Sequence, residues 1–222
     1  AVNAVAFDIS AACAGFIFAM NIVEGFFKAG IYKTALIIGA ETLSKVTDWS
    51  DRGTCVLFGD GAGAAVLKAE ETGIIDMMMG ADGTKGDVLA CTSRTVGNFL
   101  TGTKPELGFM TMDGQEVFKF AVRKVPESVM ELLQRTGTKK EDIKYYVLHQ
   151  ANERIIEAAA RRLKEPMEKF PMTISQFGNT STASIPLLLD DMIQKDMLKR
   201  GDKIIMSGFG AGMTWGAVLM EW

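Results

Sequence analysis

The sequence predicts a mixed α/β protein, helices packed on sheets, built as two similar halves. Three observations lead there. Short apolar runs alternate along the chain with stretches of helical spacing, the pattern of layered strands and helices. Each half closes on a strand, a glycine turn and another strand, "GDGAGAAVL" in the first and "GAGMTWGAVL" in the second. Cys13 also precedes the run around Leu36 by nearly the interval that separates Asn179 from the run around Ile204, as a duplicated unit requires. The division is placed at residue 113, giving halves 1–113 and 114–222.

Element by element, "AVNAVAFDI" reads as a buried strand, short, apolar and bounded by small residues. Phe16, Met20, Val23 and Phe27 recur at helical spacing until "KAG" ends a helix near Gly30. "TALIIGAE" reads as a second buried strand, and "TCVLFGDGAGAAVLKA" as two strands joined by a glycine turn. Residues 80 to 113, rich in Gly, Thr and Asp, are expected to form loops and short hairpins. A helix from about Gly114 to Arg135 follows. "YYVLHQA" is a strand, "NERIIEAAARRLKE" a helix stopped by Pro166, and "GNTSTASIP" opens another helix. "DKIIMSGFGAGMTWGAVLMEW" supplies the last two strands.

A net charge of −3 gives no general attraction to nucleic acid or an anionic membrane. No apolar run reaches the roughly 18 residues of a membrane span. Cys13, Cys55 and Cys91 are odd in number and far apart. They suit neither a metal pair nor a disulfide framework, so a reducing cytoplasm is the expected setting.

Chemistry concentrates at three positions. Cys13 sits among Ala11, Ala12, Ala14 and Gly15 where a strand gives way to a helix. Unpaired N–H groups and the dipole at a helix start favour a thiolate, with a pKa below the free value of about 8.5. On setting alone, a small buried hydrophobe remains the alternative. His149, the one histidine, ends the apolar run "YYVL"; it is either a structural residue or a catalyst at a strand end. Asn179 lies in the polar turn "FGNTSTASIP" and equally suits a helix cap. Cys55 and Cys91 attract no catalytic reading. "GDGAGA" is not a dinucleotide fingerprint, because Ala64 replaces the third glycine and a strand, not a helix, follows. No phosphate loop or metal-ligand cluster is present in the sequence.

Taken together, "DISAACAGF", "DRGTCVLFGDGAGAAVL", "HQANERII", "GNTSTASIP" and "GFGAGMTWGAVL" resemble the β-ketoacyl-acyl-carrier-protein synthase III family, in order and across nearly the whole chain. The resemblance implies the thiolase fold, two similar halves of layered helices and sheets. It implies an acyltransferase that condenses an acyl-CoA primer with malonyl-acyl-carrier protein through an acyl-cysteine, initiating fatty-acid synthesis without a metal or organic cofactor. By motif, Cys13, His149 and Asn179 form its triad. Relatives with Cys-His-His are excluded by the single histidine. The oxyanion would be held by the amides of Cys13 and Ala211. Arg52 would meet the CoA adenine, Phe58 the acyl pocket, Asn152 the pantetheine tunnel, and Phe209 would buttress the site. Lys119, Arg123, Lys124, Arg154, Arg161 and Arg162 would dock the acidic carrier protein, the alternative being a solvated charged face.

The resemblance further implies a homodimer. Family members carry on the order of a hundred residues before the nucleophile strand, so the first half is expected to be incomplete, with another segment supplying the rest. Two rivals are a catalytically idle subunit of this fold and a Cys-His-Asn cysteine hydrolase; the local signature of the latter around its cysteine is absent. Primer choice would lie with residues 80 to 112.

Overall fold

The elements of the computed structural model, which describes residues 2–91, 97–105 and 108–222, begin with α1 (Gly15–Lys28), β1 (Thr34–Glu41), β2 (Gly61–Lys68) and β3 (Ile74–Ala81). Two short strands, β4 (Leu89–Cys91) and β5 (Met110–Met112), precede α2 (Gly114–Thr136). Then come β6 (Ile143–Leu148), α3 (Glu153–Leu163), the single-turn α4 (Ile174–Phe177), α5 (Ser184–Gln194), β7 (Lys203–Gly210) and β8 (Thr214–Glu221).

Local chemistry explains the boundaries. Asp113 accepts hydrogen bonds from the N–H groups of Gln115 and Glu116, and Gly137 ends α2 in the left-handed region, the usual start and stop of a helix. Asn152 caps α3 in the same way through the Arg154 N–H.

The layers follow from which faces are apolar. β1 and β2 pair antiparallel, from Thr34↔Lys68 to Glu41↔Gly61. A four-stranded sheet has the order β3-β8-β7-β6, with only β6 and β7 parallel. α1 and α5 lie between the sheets, α1 touching β1, β3, β7 and β8, and α5 touching β2 and β6. Phe16, Ile17, Met20, Ile37, Leu188, Met192, Ile204 and Val218 fill that layer. α2 and α3 cover the far side, where Phe120, Val129, Leu132, Tyr146, Ile156 and Leu163 form a second core.

Four expectations are corrected. "AVNAVAFDI" forms no strand, and Val2, Val5 and Phe7 are exposed. Among the described residues β1 and β2 pair with each other and not with this apolar run, and propensity alone does not make a strand. "TCVLF" is a turn, because Asp51 gathers the Gly53 N–H, the Thr54 hydroxyl and the Cys55 N–H. β1 is buried on one face only: Leu36 and Ile38 point outward, beside exposed Val66 of β2. Finally, β3 lies in the run after Gly73, to which sequence reasoning assigns no element, and pairs with β8.

Candidate active site

Cys13 lies in a single 3-10 turn, Ala12–Ala14, that runs straight into α1. Its backbone is fastened from two sides: Thr182 Oγ1 donates to the Ala12 carbonyl at 2.7 Å, and Thr214 Oγ1 to the Ala11 carbonyl at 3.3 Å. Ala12 adopts φ 46°, a left-handed conformation that a residue with a Cβ takes only when its surroundings impose it. The end of β7 presses on the turn as well. A Cβ at Gly210 would stand 2.6 Å from the Cys13 nitrogen, too close for any real contact. Gly210→Ala is expected to lower stability by roughly 1–3 kcal/mol and to slow acylation of Cys13 about 10²-fold by displacing the sulfur. Urea denaturation and single-turnover acylation would check the pair.

His149 follows β6, its N–H continuing the ladder to the Ser207 carbonyl at 2.8 Å. The ring is buried, stands edge-on to Phe209 with centroids 5.4 Å apart, and places Nδ1 2.6 Å from Ser184 Oγ. Burial pushes its pKa down from 6.5 to about 3, so the imidazole is neutral at physiological pH.

Asn179 is held by its main chain, which bonds the Leu57 carbonyl at 2.9 Å and the Gly59 N–H at 3.0 Å. The Ser181 N–H lies 2.9 Å from one end of its side-chain amide. An N–H donates only to oxygen, so that end is Oδ1 and the other end, Nδ2, is the donor. Ser181 itself is buried with φ 51°, and its side chain favours the charged form of the Cys13 thiol.

Cys13, His149 and Asn179 line one cavity together with Leu57, Phe58, Leu89, Met112, Phe118, Asn152, Phe209 and Gly210. None of the lining residues carries a charge at neutral pH, which suits a neutral acyl group. The expected drop in the Cys13 pKa is reversed. Burial pushes the thiol up to about 11, against the opposing pull of the Ser181 side chain and with the help of Glu41. Desolvation of an anion outweighs a helix start when the sulfur is enclosed. Alkylation by iodoacetamide, read on the Cys13 peptide, is therefore expected to accelerate about tenfold per pH unit from about pH 6 to pH 9. A plateau below about pH 8 would show that the helix start prevails.

The other expected residues separate into two groups. Phe58, Asn152 and Phe209 line the cavity. Ala211 is one step beyond it, in the β7–β8 turn, its carbonyl accepting from Thr214 Oγ1 at 3.0 Å. Arg52 is exposed in the turn leading to Leu57. On α2 and α3, Arg123 and Arg154 are exposed, while Lys119 pairs with Glu116 at 2.8 Å and Arg161 with Glu157 at 3.6 Å. Lys124 pairs with Glu127 at 3.5 Å and lies over the Trp215 ring at 4.4 Å; Arg162 donates to the Val122 carbonyl. Sequence reasoning missed Ser181, Ser184 and Leu57. The two serines stood in the motif holding Asn179; Ser181 acts on Asn179 within that turn, whereas the role of Ser184 depends on a contact with the distant His149. Residues 92–96 and 106–107 of the expected primer-selecting region lie outside the described residues; Leu89 and Met112, on either side, border the cavity. Among the described residues there is no group of His, Cys, Asp and Glu arranged for a metal, and no helix long and apolar enough to cross a membrane.

The chain matches 3-oxoacyl-[acyl-carrier-protein] synthase III over residues 7–83 and the C-terminal region of that family over residues 133–222. The chain belongs to this family. It is 50% identical over 222 residues to the β-ketoacyl-[acyl-carrier-protein] synthase III of Clostridium acetobutylicum, covering 99% of this chain and 68% of that protein. The Clostridium novyi relative is 52% identical, with 100% and 69% covered. The crystal structure of the synthase III from Aquifex aeolicus superposes with a TM-score of 0.90 at 44% identity, covering 99% of this chain and 68% of that one. The fold is thus that of the synthase III enzymes, and membership makes the chain a condensing enzyme, an acyltransferase that initiates fatty-acid synthesis. Neither the hydrolase reading nor the idle-subunit reading is favoured by these matches.

Proposed function

We propose that Cys13 attacks the thioester carbonyl of an acyl-CoA primer, the thiol proton and electron pair leaving with CoA while the acyl group stays on Sγ. Malonyl-acyl-carrier protein then loses CO2. The electrons of the breaking C–C bond move onto the thioester oxygen, where the His149 ring and Asn179 Nδ2 donate hydrogen bonds to the enolate. The new carbanion attacks the acyl-Cys13 carbonyl, whose oxyanion is held by the amides of Cys13 and Ala211. Collapse expels the Cys13 sulfur and releases a 3-oxoacyl-carrier protein. No step calls for a metal or organic cofactor; the CoA thioester is a substrate.

One observation carries this reading: a thiol, an imidazole and a carboxamide from three distant segments share an uncharged cavity, with the carboxamide turned to donate. In the same reading Arg52 stacks on the CoA adenine. Acidic carrier protein docks along α2 and α3, where exposed Arg123 and Arg154 stand beside Lys119, Lys124, Arg161 and Arg162. The protein works in the cytoplasm as a homodimer, with a further N-terminal segment completing the first half. The exposed outer face of Leu36, Ile38 and Val66 supports a covering chain. Incubation with acetyl-CoA and longer acyl-CoAs, followed by peptide mass measurement, tests the first step. An acyl adduct on the Cys13 peptide is expected; its absence from folded protein with every acyl-CoA would overturn the scheme.

A further inference from the structure

The donor role assigned to His149 leaves open which ring nitrogen holds the proton, and the chain contains a group that decides it. Ser184, the first residue of α5, is buried, and its Oγ has two neighbours: His149 Nδ1 at 2.6 Å and the Gln150 N–H at 3.3 Å. The backbone N–H can only donate, so the hydroxyl accepts there. Its single proton is then free for Nδ1. In the opposite arrangement Nδ1–H would donate to a hydroxyl that already accepts from Gln150. The hydroxyl proton would then need a third partner, and among the described residues none is recorded. Buried polar hydrogens without acceptors are rare.

We propose that Ser184 is a positioning residue: its hydroxyl donates to Nδ1 and thereby holds His149 as the Nε2–H tautomer, directing the ring's donor to the cavity. The low pKa of the enclosed ring, about 3, is consistent with a neutral imidazole for which the tautomer matters. Ser181 does the corresponding service for Asn179, so both donors are oriented from the one segment 181–184. The inference rests on His149 acting as a hydrogen-bond donor to the developing enolate, as set out above.

A single histidine in the chain makes the test direct. Two-bond proton–nitrogen correlation spectra of the ¹⁵N-histidine-labelled protein report each ring nitrogen separately as protonated or bare. The expected spectrum has Nε2 protonated and Nδ1 bare; the reverse in the unsubstituted protein overturns the proposal whatever any variant does. Ser184→Ala is expected to shift the tautomer balance toward Nδ1–H and to slow decarboxylation of malonyl-carrier protein about 10²-fold, the cost of one lost donor. Ser184→Thr, which keeps the hydroxyl, is expected to restore both readouts. A folded Ser184→Ala protein with an unchanged spectrum overturns the proposal, because a merely structural serine would leave the tautomer alone. Should the unsubstituted protein fail to decarboxylate while showing the expected spectrum, the enolate scheme falls and the tautomer assignment stands.

Discussion

Cys13→Ala is expected to reduce condensation by about 10⁴-fold or more, to the level of activity left when a covalent nucleophile is deleted. No acyl adduct should form, and decarboxylation of malonyl-carrier protein should continue. The two losses separate because the sulfur and the two donors approach the cavity from different elements: Cys13 from the turn before α1, His149 from the end of β6 and Asn179 from the segment before α5. Removing Sγ leaves the hydrogen bonds that orient the donors, Ser184 to His149 and Ser181 N–H to Asn179, in place. Carrier-protein mass and CO2 release would read the two half-reactions. A Cys13→Ala protein that still condenses would place the acyl intermediate on another residue, and one that loses both half-reactions would show that the sulfur also organises the donors.

His149→Leu is expected to give the complementary result, with decarboxylation slower by about 10²–10³-fold and Cys13 still acylated by acyl-CoA. Leucine fills similar space but offers no donor, so the enolate oxygen loses one of its two hydrogen bonds. The same variant carries a signature in stability. The buried ring refuses a proton down to about pH 3, whereas in the unfolded chain it takes one near its ordinary value of 6.5. Between those values the unfolded state binds more protons. Stability is therefore fully present above pH 6.5 and falls as pH drops, by roughly 1.4 kcal/mol per unit from this residue alone. In His149→Leu that contribution disappears and the acid limb flattens. The carboxylates with lowered pKa values, such as Asp60 and Glu116, titrate in both proteins and cancel in the comparison. Urea midpoints measured from about pH 7 to pH 4 decide the matter. An equally steep limb in both proteins would mean that His149 is solvated and protonatable in the native state.

Much of the site was legible because its residues are chemically exposed in the sequence. A cysteine between small residues before an apolar helical stretch, a lone histidine after "YYVL" and an asparagine in "GNTSTAS" each limit the possible roles. The helices were equally legible, since α2 carries its own cap at Asp113 and its own stop at Gly137. Strands fared worse. "AVNAVAFDI" has the composition of a strand but pairs with none of the described strands, and "IIDMMMGA" lacked a clear period yet pairs with β8 from Ile74 to Ala81, with one irregularity at Ile75. A helix satisfies its backbone within itself, whereas a strand depends on residues far away in the chain.

The same distinction separates what each level determined about function. By itself the sequence determined which reactive groups exist and in what order: one thiol in a helix-start setting, one imidazole, and one carboxamide in a polar turn. Tertiary structure alone decided their state. Enclosure raised the thiol pKa where local setting predicted a fall, because desolvation depends on everything packed around the sulfur. Contacts across the fold brought Ser184 Oγ to the ring of His149 and Gly210 onto the amide of Cys13. Local sequence fixes the kinds of atoms available; the direction in which each holds its proton is set by neighbours that only folding supplies.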